Sequence, residues 1–208
     1  MFPSRRIVTS GGDVFPNLYS LEFDTTNDYV VIPDSADWDF GTGSWSVTAW
    51  VKITEDITQY FIGRWAAADS DASARHWGIY FDASTNKFEY VPDNTGGESG
   101  GQVASGTTNS VTLNEWAHLA YTRTSGGKGR IYVDGVLEVT TGSNDTQNHS
   151  NTDPIFIGNG QNLFASCNMA QVGIWRGALS QAQIQEVKEK SFNELSASDK
   201  SSLRDEKI

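Results

Sequence analysis

The stretch that decides the fold is Ser44-Trp45-Ser46-Val47-Thr48-Ala49-Trp50-Val51-Lys52-Ile53. Its odd-numbered members, from Trp45 to Val51, fall on one side of an extended chain, and its even-numbered members, from Ser46 to Lys52, fall on the other. Trp, Val, Ala and Val therefore share one face, and this period of two predicts a β-strand that buries that face.

Runs of the same kind lie on both sides of this strand and are separated by Gly, Asn, Asp and Ser. We expect strands over residues 18–24, 29–32, 60–65, 76–81, 87–91, 116–124, 129–134, 136–140, 155–158 and 169–175. Asp134-Gly135 between two of these runs is the signature of a type I′ hairpin. Many short strands at close spacing predict an all-β sandwich or barrel.

One helix is predicted near the end of the chain. Ser180 is placed to cap its N-terminus, with Gln183 completing a capping box and Leu179 and Ile184 forming a hydrophobic staple. The expected organisation is an N-terminal arm over residues 1–17, the sandwich over 18–190, and a polar tail or helix over 191–208.

Composition excludes several classes of function. The 208 residues carry a net charge of −11, and nucleic acid is therefore not an expected partner, because phosphate binding needs clustered Lys and Arg. Cys167 is the one cysteine, so no intramolecular disulfide forms. No stretch is apolar enough for membrane insertion. The start of the chain lacks the apolar segment of a secretory signal.

Several segments, taken together and in order, resemble the laminin G-like domains of the concanavalin A-like lectin/glucanase superfamily. They are Leu21-Glu22-Phe23-Asp24, residues 28–33, Trp45 to Lys52, Glu115 to Thr122, Arg130 to Val136, Ile155 to Gly158 and Val172 to Ser180. The resemblance implies a jelly roll of two packed antiparallel sheets. The family includes sugar-binding, adhesion and glycosidase members, so the fold alone does not give the activity.

A ligand is expected at the rim of the sandwich, where the chain has three long polar loops, at residues 66–75, 92–109 and 141–153. An exposed tryptophan near these loops could stack on a sugar ring, and Trp38, Trp65 and Trp77 are the candidates. The polar candidates for contact with the ligand are Asp93, Asn94, Asn144 and Asn148.

The resemblance also implies a Ca²⁺ ion at the rim. Asp24 and Asp28 near the opening strands, and Asp145 and Asp153 in a polar loop, are its candidate ligands. Ala170 stands where the family commonly has an aspartate in the late strand, which removes one anionic ligand.

Catalysis is not expected. Glycosidases of this fold carry Glu-x-Asp-x-x-Glu on one strand, whereas Glu22 and Asp24 are followed by Asn27 in a structural strand. The leading hypothesis is a lectin-like or adhesion module, extracellular or on a virion surface such as a phage appendage, which binds glycan or protein through rim loops. Other virion proteins or copies of the chain are further possible partners. The alternatives are a purely structural capsid or tail decoration protein and a glycoside hydrolase.

Overall fold

The computed structural model describes residues 19–65, 75–92, 104–105, 112–141, 148–160 and 162–190, together with Glu194, Leu195 and Ala197. Two six-stranded antiparallel sheets face each other, which confirms the predicted sandwich. Sheet A has the order β1-β14-β3-β8-β9-β10, with β1 (Leu21–Asp24), β14 (Ser166–Trp175), β3 (Trp45–Ile53), β8 (Ala117–Arg123), β9 (Gly129–Val133) and β10 (Val136–Thr140).

Sheet B has the order β2-β11-β4-β5-β6-β7. Its strands are β2 (Val30–Ile32), β11 (Ile155–Ile157), β4 (Gln59–Trp65), β5 (Arg75–Asp82), β6 (Lys87–Pro92) and β7 (Ala104–Ser105). A hairpin of β12 (Asn159–Gly160) and β13 (Leu163–Phe164) forms a third, two-stranded sheet. A short 3₁₀ helix, Ala36–Trp38, and the α-helix α1, Gln181–Glu189, complete the described elements.

The main core lies between the two sheets. The predicted inner face of β3 contributes Trp45, Val47, Ala49 and Val51 to it, and Ile53 continues the row. Aromatic side chains from β4, β5 and β6 of sheet B fill the opposite side of this core, and Tyr121 of β8 joins them from sheet A; the sheet B residues are Phe61, Trp77, Phe81, Phe88 and Tyr90. The period of two therefore identified the buried face of the strand correctly.

The outer face of β3 in sheet A is also buried. Ser46 and Thr48 on the outer face of β3 are 0% exposed, and Trp50 is 3% exposed. Helix α1 explains this burial, because Ile184 and Val187 pack with apolar residues of that face. The remaining members of this second cluster are Ala120, Tyr132, Trp175, Leu179 and Leu195. The packed structure thus extends past residue 190, to Leu195.

Two local predictions are confirmed at the atomic level. The Ser180 hydroxyl accepts a hydrogen bond from the Gln183 N–H at 3.3 Å, and the Gln183 side chain accepts one from the Ser180 N–H at 3.0 Å. Asp134 and Gly135 both have positive φ, 52° and 78°, as a type I′ turn requires.

The sandwich has two ends, at which the strands of both sheets turn over. The end where β4 finishes and β3 begins carries residues 33–44, 124–128 and 148–154, and we call it the Arg64 end. Asp24, Asp28 and residues 54–58 lie at the opposite end, about 20 Å away along the seven residues of β4.

Candidate functional site

The Arg64 end is organised around a guanidinium group that is completely buried. Arg64 follows Ile62 on the core-facing side of β4, at the point where the apolar core gives way to the connecting loops. Its side chain is 0% exposed. A buried cation of this kind requires nearby oxygen atoms to compensate for the loss of hydration.

Five oxygen atoms surround Arg64 and use all five of its N–H groups. Nε donates to the Asp153 carbonyl at 2.8 Å. Nη1 donates to the Trp38 carbonyl at 2.7 Å and to Asp39 Oδ1 at 3.1 Å. Nη2 donates to Asp34 Oδ1 at 2.5 Å and to the Asn151 carbonyl at 2.7 Å. The guanidinium therefore ties β4 to two separate rim segments, residues 34–39 and 151–153.

These contacts fix two carboxylates at the surface. The side chains of Asp34 and Asp39 are 38% and 37% exposed, and each binds Arg64 through Oδ1. Asp39 Oδ1 also accepts from the Asn151 N–H at 3.2 Å. Within the described residues no hydrogen bond reaches Oδ2 of either carboxylate. Both Oδ2 atoms are thus held in place as acceptors for an external donor.

A histidine pairs with the next carboxylate along the rim. His76 Nε2 lies 2.6 Å from Asp153 Oδ2, and the two side chains are 14% and 24% exposed. The Asp153 N–H donates to Asn151 Oδ1 at 2.8 Å, so the backbone is held as well. This part of the rim combines a fixed carboxylate with an imidazole ring.

Asn148 is the one polar ligand candidate that the structure describes. It is exposed, and its Oδ1 accepts from the Ser150 N–H at 3.1 Å. The Ser150 hydroxyl in turn accepts from the Gly41 N–H at 3.1 Å, which ties this segment to the 33–44 connection. Asn148 is therefore held near Gly41, at the same end of the sandwich as the two carboxylates. Asp93, Asn94, Asn144 and Asp145 lie outside the described residues.

The expectation of exposed tryptophans at the rim is wrong. Trp38 and Trp65 are each 4% exposed and Trp77 is 0% exposed. Trp77 faces the core, where its ring lies 4.7 Å from that of Trp45. The Trp65 ring lies against the outer face of sheet B, over Gly63 and Gly78, which have no side chains to keep it away. None of the three offers an indole face on which a sugar ring could stack.

The described candidates for Ca²⁺ do not lie together at one place, and the metal stays a prediction. Asp24 and Asp28 lie at the opposite end of the sandwich from Asp153. Asp24 Oδ1 accepts from the Thr26 N–H at 2.9 Å, as in an ordinary turn. The Asp153 carbonyl accepts a hydrogen bond from Arg64, and its carboxylate pairs with His76. In the part of the chain that is described, no three His, Cys, Asp or Glu side chains come together as metal ligands.

Comparison with known proteins places the chain in a family. The laminin G model of the concanavalin A-like lectin/glucanases superfamily matches residues 24–185. The chain belongs to this superfamily. A search of curated proteins finds no significant match to this chain. The resemblance inferred from the strand motifs is confirmed.

Solved structures show the same fold at low sequence identity. A Bacteroides ovatus protein assigned to carbohydrate binding is 18% identical, with a TM-score of 0.60 over 80% of this domain and 46% of that chain. The heptameric SAP-like pentraxin of Limulus polyphemus is 16% identical, with a TM-score of 0.58 over 80% of both chains. Trypanosoma rangeli sialidase is 20% identical, with a TM-score of 0.57 over 80% of this domain.

The sialidase match covers only 26% of the sialidase chain, so the domain spans about a quarter of that enzyme. Glu22 and Asp24, which match only the first two positions of the glycosidase pattern, are exposed on the edge strand β1. Sequence reasoning missed Arg64, Asp34, Asp39 and His76. The sequence held one signal for this site: Arg64 is a charged residue at a core-facing position of an otherwise apolar strand.

Proposed function

We propose that this domain is a non-catalytic, lectin-like module that binds glycan at the Arg64 end. The observation that carries the proposal is the pair of Asp34 and Asp39 carboxylates, each bound to Arg64 through Oδ1 while its side chain is more than a third exposed. Asn148 adds an exposed amide to the same rim.

The chemistry suits sugar hydroxyl groups. A hydroxyl donates one hydrogen bond and accepts others, and a carboxylate oxygen is a strong acceptor because it is charged. Asp34 and Asp39 lose little conformational entropy on binding, because Arg64 already holds them. A pocket of stacking tryptophans is not required for this mode of binding.

The fold supports the same reading. The superfamily is defined by lectins and glucanases, and one structural neighbour is assigned to carbohydrate binding. Likeness at this level of identity gives the fold alone, so the ligand of this domain has to be measured directly.

A glycan array probed with the full chain tests the proposal, followed by calorimetry on the best glycan. We expect Asn148→Ala to weaken binding about tenfold or more, because a buried amide contact of this kind contributes on the order of 1.4 kcal/mol. Asp34→Asn should weaken it further by removing the charge on the acceptor. Asp56→Asn is the matched control, since it removes an exposed carboxylate at the opposite end.

Two outcomes contradict the proposal. One is the absence of binding to every glycan, which would leave the purely structural decoration role. The other is an equal effect of Asp34→Asn and Asp56→Asn on binding, with melting curves showing that all variants are folded. Release of reducing sugar or sialic acid from a bound glycan would instead support the hydrolase alternative.

The virion setting stays a prediction. Immunodetection of the chain on purified particles, in a fixed number of copies for each particle, is the measurement that checks it. Titration with Ca²⁺ is the corresponding check on the metal, with the melting temperature followed with and without EDTA.

A further inference from the structure

One side of the sandwich ends in two strands with free edges. Within the described residues, β1 is the terminal strand of sheet A and β2 is the terminal strand of sheet B. The two are joined directly through residues 25–29, so their edges lie on the same side. A terminal strand offers a row of backbone N–H and C=O groups to any further strand.

An apolar patch accompanies the free edge of β2. Tyr29 and Val31 are 45% and 44% exposed, and Leu163 on the neighbouring hairpin is 39% exposed. The Tyr29 ring lies 5.8 Å from Phe156 and 6.3 Å from Phe164, which continue the patch inward. Apolar residues gathered in this way on a surface mark an interaction site more often than isolated ones do.

The charges around this edge have one sign. Residues 19–32 and 155–170 contain three carboxylates, those of Glu22, Asp24 and Asp28, and no Lys, Arg or His. All three are exposed. Natural proteins commonly protect free edges with lysine, and this edge has none. An approaching strand that carries basic side chains would therefore be attracted.

A second copy of the chain fits this edge poorly. Pairing β2 with its counterpart would bring the carboxylates of Glu22, Asp24 and Asp28 against their own copies. The other free edge of sheet A, β10, follows Asp134 and carries Glu138, with Arg130 on the adjacent strand, so it is not basic either.

We propose that the free edge of β2 is a docking site for an extended strand of a partner protein, in which apolar residues alternate with Lys or Arg. The partner strand would add to sheet B as a seventh strand. Its apolar side chains would cover Tyr29 and Val31, and its basic side chains would approach Asp28 and be attracted by the acidic charge of neighbouring β1. This site is separate from the Arg64 end and does not depend on glycan binding.

The test uses a short synthetic peptide in which Lys and Val alternate, with a matched peptide in which Glu replaces Lys. We expect the basic peptide to bind the full chain and the acidic one not to bind, with affinity falling as salt is added. Hydrogen exchange should slow at Val30–Ile32 in the complex. Val31→Lys should weaken binding about tenfold, because it removes apolar contact and adds repulsion.

Leu137→Lys is the matched control, because Leu137 is also an exposed apolar residue, 42% exposed, on the terminal strand β10. It should leave the affinity for the peptide unchanged. Failure of both peptides to bind, equal binding of the two, or equal effects of Val31→Lys and Leu137→Lys would overturn the proposal. Sedimentation showing a dimer that Val31→Lys abolishes would assign the edge to a second copy instead.

Discussion

At the scale of single residues, Arg64 does most to shape the Arg64 end. It supplies a permanent positive charge that gathers three carbonyl and two carboxylate oxygens around it. Its partners belong to segments that are 25 to 89 residues away in sequence. One side chain thus holds both rim segments in place relative to the sheet.

Replacing Arg64 by methionine keeps much of the length and apolar volume of the side chain but removes every hydrogen bond to the rim. We expect the free energy of unfolding to fall by about 3–5 kcal/mol, since Asp34, Asp39 and three carbonyls lose their partner. Urea denaturation measures this loss. Arg176→Met is the control. Arg176 is exposed, and in the described part of the chain it bonds to the backbone carbonyls of Asp37 and Ala36, so its loss should cost about 1 kcal/mol or less. Equal losses would contradict the assigned role of Arg64.

His118 gives the protein a dependence on pH. Burial on the outer face of sheet A, with a smaller contribution from Lys188, lowers its pKa from 6.5 to about 3. The ring is 1% exposed, and its Nδ1 atom has no hydrogen-bond partner within the described residues. Between pH 3 and 6.5 the unfolded chain therefore binds a proton that the folded chain does not, so stability falls as the pH falls through this window.

We expect the free energy of unfolding to drop by about 2 kcal/mol between pH 7 and pH 5 through His118 alone. His118→Gln lacks this titration, so its own drop should be smaller by that amount. Urea denaturation of both proteins at the two pH values makes the comparison. Parallel losses in the two proteins would show that His118 is not the group responsible.

At the scale of elements, most strands and the helix could be predicted from the sequence, because each depends on a pattern of residues that are close together in the chain. Alternation places β3, and Ser180 with Gln183 places the start of α1. The hairpin of β12 and β13 was missed, since each strand has two residues and shows no alternation. Burial of Trp38, Trp65 and Trp77 was also missed, because it depends on glycines and strands that are distant in sequence.

Sheet B requires glycine where Trp65 crosses it. A Cβ atom at Gly63 would lie inside van der Waals contact with the Trp65 ring and 2.7 Å from the Trp77 carbonyl oxygen. We expect Gly63→Ala to destabilise the fold by about 1–3 kcal/mol through overpacking. Gly177→Ala is the control, because a Cβ atom there meets nothing within 4 Å, and it should change stability by less than about 0.5 kcal/mol. Thermal melts of both variants decide the matter.

At the scale of the whole molecule, net charge limits which glycans are bound. The chain carries a net charge of −11, and the Arg64 end presents the partly exposed carboxylates of Asp34 and Asp39, with Asp153 more deeply buried beside His76. We expect neutral glycans to bind more tightly than sialylated or sulfated glycans of the same core, with the gap narrowing as salt is added. Calorimetry on matched pairs at low and high salt checks this. Preference for the sialylated member would contradict it.

The overall architecture was therefore predictable, and the candidate site was not. Two-sheet packing follows from patterns that repeat in every strand. The Arg64 end depends on contacts between β4 and residues 34–39 and 151–153, which no short motif encodes. The sequence analysis named Asn148 and Asp153, which lie at this end, but their link to Asp34 and Asp39 was signalled only by the unusual position of a charged residue in β4.

Cys167 lies on the core-facing side of β14 and is 0% exposed. Burial raises the pKa of its thiol well above the usual value. A thiol-reactive dye can therefore modify the native chain only when the two sheets separate. The rate of labelling therefore measures how often the sandwich opens, and no engineered cysteine is needed. Cysteines introduced elsewhere on the surface would react long before this one does.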